Sequence, residues 1–297
     1  MKKVSKEQFG IDHPLVTVRD HTRILDNYRK LGFNLSPVSY HPWGTVTSLV
    51  MFEKNFIELI SVDDRSKFHA NGQNSFCFGD NLDKFLQREE GVALLALYSS
   101  NADQDYELLL KQGLSSQGRV DFRRAIKTPK GPDEAVVSLA LFIDSQNPDL
   151  SNFICQQHKP ELIWVSEWQN HINQVNGITQ IIYIGDLSVI EKRWRTLYGD
   201  KVHVQAGKVE VDTTSGLLIG LREQDFIDKY PKISLPKWES DTIHAVLIQV
   251  NTLSLDIVKD IVLTENINSH ITHNSVLISP DFTGNVILEF VETHTVK

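Results

Sequence analysis

Four stretches of the chain repeat one order of hydrophobic and polar positions. Each begins with a short β-branched run that predicts a strand, continues with apolar residues at helical spacing, and ends with runs that predict three more strands. In the first stretch, HPLVTV (13–18) precedes a helix that carries Ile24, Leu25 and Tyr28 on one face. The strands NLSPVSY, TVTSLVMF and NFIELISV follow. The pattern therefore predicts a βαβββ module.

Three further modules start at VALLALYSS (92–100), ITQIIYIGD (178–186) and IHAVLIQV (243–250). These starts lie too far apart for a solenoid, whose repeats have about 20–50 residues. They favour duplicated supersecondary units and hence an α+β fold. The polar link SEWQNHINQVNG (166–177) lies midway, so we predict one domain over residues 1–165 and a second over residues 175–297.

Composition narrows the class of protein. With 297 residues, of which 41% are hydrophobic and 23% charged, the chain can build a globular core. Its 30 Lys and Arg against 38 Asp and Glu give a net charge of −8, which argues against nucleic acid or a membrane as partner. No apolar stretch reaches the ~20 residues of a membrane span, and the N-terminus continues into no signal-peptide core. We therefore expect a cytoplasmic protein.

Several common site motifs are absent from the sequence. Two cysteines, Cys77 and Cys155, cannot form a disulfide framework or a cysteine-rich zinc site. The chain has no GxGxxG after its first strand, no GxxxxGK[ST] and no GxSxG, which removes support for nucleotide-binding and α/β-hydrolase functions.

Two His–Glu pairs share one spacing. His13 opens the first module and Glu58 lies in its last strand, 45 positions later. His244 opens the fourth module and Glu289 lies in its last strand, again 45 positions later. The surrounding sequences, NFIEL and NVILEF, are also alike. Either these are packed strand residues, or each pair is a site or the remnant of one.

At these residues the sequence resembles the glyoxalase-like branch of the vicinal oxygen chelate superfamily. The resemblance lies in two stretches, residues 12–62 and residues 152–177. It implies an α+β fold in which four βαβββ modules pair into two cup-shaped glyoxalase/dioxygenase-like domains. It also implies that a first-strand His and a last-strand Glu hold a metal at the inner wall of a cup.

Carried over to this chain, the resemblance assigns His13 and Glu58 as metal ligands in the first cup. It assigns His244 and Glu289 to a second site in the other cup. Each cup then keeps two of the usual three or four protein ligands. Imidazole and carboxylate together suit Fe, Mn, Ni or Zn, so we expect one of these divalent metals. Further ligand candidates are His41, Gln156, His158, His270 and His273.

Other residues supply candidate catalytic and binding groups. We expect Glu58 and His41 to be catalytic, the latter because its turn, SYHPWGT, resembles one at the mouth of such cups. Trp43 would floor an apolar pocket, and Gln156 would contact substrate. Arg124 alternates with apolar residues along its strand, so it either grips a substrate carboxylate or pairs with a buried acid. The tryptophans at 164 and 168 have helical spacing and predict packing between the halves.

These residues predict a metal-dependent lyase, isomerase or dioxygenase acting on a small polar or anionic metabolite. A metal would coordinate two adjacent oxygens of the substrate and stabilise the anion that forms. The alternative is a metal-free binding protein of the sequestration or resistance type, which the incomplete ligand sets favour. We expect a small-molecule ligand in either case, and a homodimer is left open.

Overall fold

The computed structural model describes residues 9–71, 76–128, 131–213, 215–239 and 242–292. The helices and strands of the first half are β1 (Ile11–Thr17), α1 (His21–Lys30), β2 (Ser39–Tyr40), β3 (Thr45–Met51), β4 (Phe56–Val62), α2 (Phe78–Arg88), β5 (Gly91–Tyr98), α3 (Ala102–Lys111), β6 (Gly118–Thr128), β7 (Gly131–Phe142) and β8 (Asn152–Gln157). Those of the second half are β9 (Val175–Ile184), α4 (Leu187–Tyr198), β10 (Val202–Gln205), β11 (Lys208–Asp212), β12 (Leu217–Leu221), α5 (Glu223–Lys229), β13 (His244–Thr252), α6 (Leu255–Thr264), β14 (Ser269–Ile271), β15 (Ser275–Ile278), α7 (Pro280–Thr283) and β16 (Ile287–Glu292).

The strands form two eight-stranded sheets with the same internal order. The first sheet runs β2-β3-β4-β1-β5-β8-β7-β6, and the second runs β10-β11-β12-β9-β13-β16-β15-β14. At the centre of each sheet the first strands of two modules pair antiparallel, β1 with β5 and β9 with β13. Within a module the first strand pairs parallel with the last, as β1 does with β4. The predicted α+β fold, with four βαβββ modules paired into two cup-shaped domains, is confirmed.

A polar side chain caps the start of each module helix. The Asp20 carboxylate accepts a hydrogen bond from the backbone N–H of Arg23 at the start of α1. The caps of the other three helices act in the same way; they are Asn101, Asp186 and Ser254. Each cap satisfies a backbone N–H that has no partner inside the helix. Among the described residues, no helix is long and apolar enough to cross a membrane.

The two halves share one large hydrophobic core. The buried faces of the four module helices contribute to it, together with strand residues of both sheets. Polar contacts also cross between the halves, since the Tyr28 hydroxyl donates to the Thr283 carbonyl and the Arg193 guanidinium donates to the Phe142 carbonyl. The opposite faces of the sheets carry two smaller, separate cores. These smaller cores lie inside the cups.

Besides the short α7, two helices occupy stretches to which the sequence pattern assigns no element. The first, α2, follows the last strand of the first module, and α5 follows the last strand of the third. Phe78 and Leu82 of α2 pack into the core of the first cup, and Phe226 of α5 packs into the core of the second. Both cups are therefore partly filled from within their own chain.

The link between the halves is fixed to both of them. The Asn173 side chain donates to the Leu31 carbonyl, and the Asn173 carbonyl accepts from the Thr252 hydroxyl. Trp164 and Trp168, which we expected between the halves, pack instead against the core of the first cup. The domain limits at residues 165 and 175 stay a prediction, and the outermost residues of both ranges lie outside the described residues.

Candidate functional site

The first cup brings His13 and Glu58 together. They lie on the neighbouring parallel strands β1 and β4, where Leu15 is opposite Glu58. Since side chains two residues apart share a face of a strand, the His13 ring points towards the same wall as the carboxylate. The His13 Nε2 atom is 3.3 Å from Glu58 Oε2, and both side chains are more than nine-tenths buried.

The orientation of the His13 ring is fixed by two further contacts. Its Nδ1 atom lies 2.8 Å from Asp12 Oδ2, and its ring stacks on Phe56 with centroids 4.1 Å apart. The Asp12 carboxylate in turn accepts a hydrogen bond from the Gln157 amide at 3.2 Å. A carboxylate behind the second ring nitrogen is the arrangement that commonly orients histidine ligands of metals.

His41 approaches the other oxygen of the same carboxylate. Its Nε2 atom is 3.8 Å from Glu58 Oε1, while its Nδ1 atom is hydrogen-bonded to the Thr45 hydroxyl at 2.9 Å. Trp43 stacks nearly parallel on the His41 ring at 4.9 Å. The Thr47 hydroxyl donates to Glu58 Oε1 at 2.8 Å. Glu58 is therefore held from three sides.

These contacts set the charge of the pair. Burial by itself would raise the pKa of Glu58, but the hydrogen bond and charge of His13, the charge of His41 and the Thr47 hydroxyl outweigh it and lower the pKa to about 2. Burial opposes a charge on His13 as well, yet Asp12 and Glu58 on either side of the ring raise its pKa. Without a metal, His13 and Glu58 form a buried ion pair.

The three groups face a small cavity inside the first cup. Its volume is about 50 Å³, enough for a few water molecules or for the end of a small ligand. Five aromatic side chains contribute to its wall: Trp43, Phe56, Phe78, Phe122 and Phe153. The polar groups at its surface come from His13, His41, Glu58, Cys155 and Gln157. We call this space the cup cavity.

Gln156 lies outside the cup cavity, contrary to our expectation. Its side chain accepts from the Ala102 N–H and donates to the Ser100 carbonyl, at the start of α3. The next residue, Gln157, lines the cavity instead, because successive side chains of β8 point to opposite faces. His158 is hydrogen-bonded to Ser138. The side chain of Arg124 lies outside the described part of the chain.

The second cup does not bring its predicted pair together. Glu289 accepts hydrogen bonds from Gln249 and from the Tyr230 hydroxyl. Phe226, Tyr230 and a segment that includes Trp238 fill this cup with apolar groups. His270 lies two strands away from Glu289, and His273 is exposed. The hydrogen bonds that Glu289 accepts therefore come from neutral donors and not from an imidazole.

His244 lies at the seam between the halves. Its Nδ1 atom is 3.0 Å from Asp149 Oδ2 and 3.6 Å from Glu89 Oε2. The cause is strand register: Gln249, five positions after His244, is opposite Glu289, whereas Leu15, two positions after His13, is opposite Glu58. An irregularity in β13 between Ala245 and Leu247 adds to the displacement. Equal sequence spacing therefore does not give equivalent places in the two cups.

His13 and Glu58 fit a divalent ion as two ligands. Two donors bound to one ion at about 2.1 Å lie about 3–3.5 Å apart, and the 3.3 Å between His13 Nε2 and Glu58 Oε2 falls in this range. His41 is less well placed, since no three ligand atoms of His13, His41 and Glu58 lie within 4.8 Å of one another. The donor set therefore suits a weakly held ion with other positions open to water or substrate.

Structures of known proteins share the whole fold. A hypothetical protein from Staphylococcus aureus aligns with a TM-score of 0.70 at 11% identity, over 95% of this chain and 99% of that one. A mutant of 4-hydroxymandelate synthase from Streptomyces coelicolor aligns with a TM-score of 0.57 at 7% identity, over 98% and 94%. The Mn(II)-bound glyoxalase from Novosphingobium aromaticivorans gives a TM-score of 0.53 at 9% identity, over 97% and 83%.

The sequence of the chain matches a family model. No curated protein matches the chain significantly. Residues 11–198, which include His13, His41 and Glu58, match the family model described as a glyoxalase-like domain. The match covers the first cup and the third module's first strand and helix, and it agrees with the resemblance found in the sequence. The chain therefore belongs to the glyoxalase-like domain family of the vicinal oxygen chelate superfamily.

Proposed function

We propose that the first cup is the active site of an enzyme that depends on a divalent metal. The observation that carries this proposal is the convergence of His13, His41 and Glu58 on the cup cavity. In this proposal His13 and Glu58 hold the ion, which is Fe, Mn, Ni or Zn. When bound, the ion would act as a Lewis acid on a substrate oxygen. With only two protein ligands, binding is weak and the purified protein needs added metal.

His41 is proposed as the proton carrier of the reaction. Imidazole gains and loses protons near neutral pH, which suits a general base or acid. The Nε2 atom of His41 points to the Glu58 carboxylate, and its Nδ1 atom is held by Thr45. Trp43, stacked on the ring, keeps its orientation and excludes water from one side. Glu58, with a pKa of about 2, stays a carboxylate throughout.

The wall of the cup cavity constrains the substrate. Five aromatic rings favour an apolar or aromatic body, while the polar groups occupy one part of the wall. We therefore propose a small substrate with an apolar body and one oxygen-bearing end, which binds next to His13 and Glu58. This refines our expectation of a polar or anionic metabolite. The proton carrier favours a lyase or isomerase over a dioxygenase.

The alternative function is metal-free binding of a small apolar ligand. It is favoured by the ion pair, because Asp12, His13 and Glu58 satisfy one another without a metal. In that case the cup cavity would sequester its ligand and the polar groups would only orient it. The two functions differ in whether the first cup takes up metal.

Titration of the full chain with Mn(II) decides between them. Bound Mn(II) is counted by the loss of the free-ion signal in electron paramagnetic resonance. We expect Glu58→Gln to bind one equivalent fewer than the wild type. Glu289→Gln is the matched control, since it removes an equally buried last-strand carboxylate and should bind as the wild type does. Equal Mn(II) binding by the wild type and Glu58→Gln would contradict the metal-dependent function and support metal-free binding.

A second experiment tests His41. The probe is 2-hydroxyacetophenone, which has an aromatic body and two adjacent oxygens. Exchange of its carbon-bound protons with D₂O is followed by NMR in the presence of Mn(II). We expect His41→Gln to keep the Mn(II) equivalent but to lose exchange by about 10²–10⁴-fold, the usual contribution of a general base. Unchanged exchange in this variant would remove His41 from the mechanism.

A further inference from the structure

A second group of ligating side chains lies far from the cup cavity, at the seam between the halves. We call Glu89, Asp149 and His244 the seam cluster. Their ligand atoms all lie within 4.8 Å of one another, and all three residues are buried. Among the described residues this is the one group of three or more His, Cys, Asp or Glu with that geometry.

The three residues come from separate parts of the chain. Glu89 follows α2, Asp149 lies in the 3₁₀ helix Pro148–Leu150 before β8, and His244 starts β13. The first two belong to the first half and the third to the second. Anything bound by all three therefore holds the halves together.

A small cavity accompanies the seam cluster. Its volume is about 10 Å³, close to the smallest space that holds one water molecule or one ion. Glu89, Asp149 and His244 all line it, next to Trp238 and Pro236. Trp238 stacks on the His244 ring with centroids 4.8 Å apart, which holds its Nδ1 atom towards the carboxylates.

Two carboxylate oxygens in the seam cluster lack hydrogen-bond partners. Glu89 Oε1 and Asp149 Oδ2 are completely buried and accept no well-aligned hydrogen bond, and the group nearest to Asp149 Oδ2 is the His244 Nδ1 atom at 3.0 Å. Leaving such atoms unsatisfied is costly, and it is uncommon in folded proteins. Arg88 donates to the other oxygen of Asp149 at 3.3 Å and stays 3.9 Å from Glu89 Oε1. The single arginine thus donates a hydrogen bond to neither of these two oxygens, and the group nearest to Asp149 Oδ2 is His244, the third member of the cluster.

We propose that the seam cluster binds one divalent transition metal that joins the two halves of the chain. The ligands are His244 Nδ1, one oxygen of Asp149 and one oxygen of Glu89. The separations of 3.0 and 3.6 Å from the imidazole nitrogen match donors that share one ion at about 2.1 Å. One imidazole and two carboxylates suit Zn(II) or Mn(II), and their charge is balanced by the ion. A neighbouring open cleft, which shares Glu89 with this cavity, can supply water to the remaining position.

The competing arrangement is a metal-free ion-pair network. A protonated His244 together with Arg88 would also balance the two carboxylates. It would leave Glu89 Oε1 without a hydrogen bond and with Arg88 at 3.9 Å, because the imidazole faces the opposite oxygen of Glu89. An ion in the small cavity would instead be coordinated by both carboxylates and would neutralise their charge.

Zinc titration of the full chain tests the proposal. The protein is stripped with a chelator, desalted, and titrated with Zn(II) by calorimetry. We expect Asp149→Asn and His244→Gln each to bind one equivalent fewer than the wild type. His203→Gln is the control for surface histidines, since His203 is exposed on β10 and should bind as the wild type. Glu58→Gln should keep the seam equivalent, which separates this site from the cup cavity.

Thermal unfolding provides the second measurement. Zn(II) should raise the Tm of the wild type and of Glu58→Gln, because a ligand that binds only the folded state stabilises it. The rise should be absent when Asp149→Asn is added to Glu58→Gln, which removes the cup site as well; Asp149→Asn is a nearly isosteric change that is expected to fold even where His244→Gln does not. A Glu58→Gln protein that binds no Zn(II), or a Glu58→Gln/Asp149→Asn protein that keeps both the equivalent and the rise in Tm, would overturn the proposal.

Discussion

Glu58→Gln offers the sharpest test of the ion pair in the first cup. The pKa of Glu58 falls from its usual 4.5 to about 2 in the folded chain, chiefly because His13 outweighs the effect of burial. This fall corresponds to about 3 kcal/mol of stability, since one pH unit is worth about 1.4 kcal/mol. The contribution is complete well above pH 4.5 and is lost as the pH falls through the folded-state pKa. Between pH 7 and pH 3 the wild type should lose about 2 kcal/mol of it.

The measurement is urea unfolding of the metal-free chain at pH 7, 5 and 3. Circular dichroism and tryptophan fluorescence give the free energy of unfolding of the wild type and of Glu58→Gln. We expect the wild type to be more stable at pH 7, because the variant removes one of the two buried carboxylates that neutralise His13. The difference should narrow by about 2 kcal/mol between pH 7 and pH 3.

Glu289→Gln is the matched control for this experiment. Glu289 is about as buried as Glu58, at 5% against 6% exposure, but its hydrogen bonds come from the neutral groups of Tyr230 and Gln249. A Glu289→Gln protein should therefore keep the loss of stability that the wild type shows on acidification. A difference between the wild type and Glu58→Gln that is the same at pH 7 and pH 3 would refute the ion pair.

Three further predictions concern His13, its support and the packing between the halves. The pKa of His13 is raised above its usual 6.5, so its contribution to stability is present below pH 6.5 and disappears as the pH rises through the raised value. Urea unfolding at pH 6 and pH 9 should therefore show that the wild type loses its stability advantage over His13→Gln. Asp12→Asn should weaken Mn(II) binding to the first cup by about 10–100-fold in a spectroscopic titration, and unchanged affinity would argue against an orienting role. Gly284→Ala should cost about 1–3 kcal/mol more than Gly113→Ala in urea unfolding, because both glycines have positive φ but only at position 284 would the new Cβ meet Val16, at 2.8 Å.

The fold followed from local patterns because those patterns repeat. A β-branched run, a capped amphipathic helix and three more strands occur four times. A wrongly predicted element in one module therefore does not change the predicted architecture. Asp20 and its three counterparts each cap a helix where the periodicity predicts one. The repeat does not predict the helices α2 and α5, because they lie between modules and have no counterpart in it.

The site was predicted in part. The repeated spacing and the family resemblance pointed to His13 and Glu58 as a pair, and the structure places their side chains 3.3 Å apart, while their role stays a proposal. The sequence predicts Gln156 in the cup, whereas Gln157 lines the cup cavity, because a shift of one residue moves the side chain to the other face of β8. His244 and Glu289 have the same spacing as the first pair, yet strand register separates them. Spacing along the chain fixes a contact only when the register is also known.

The sequence by itself determined the four modules, because they depend on periodicity, which is a local property. The pairing of the modules into cups and the placing of His13 near Glu58 were implied by the family resemblance. The tertiary structure decided how far α2 and α5 fill the cups, which glutamine faces the cup cavity, and where His244 lies. It also assembled Glu89, Asp149 and His244 from segments 60 and 95 positions apart, which no local pattern records. Such contacts depend on how the two halves pack, and that packing is set by a core to which both contribute.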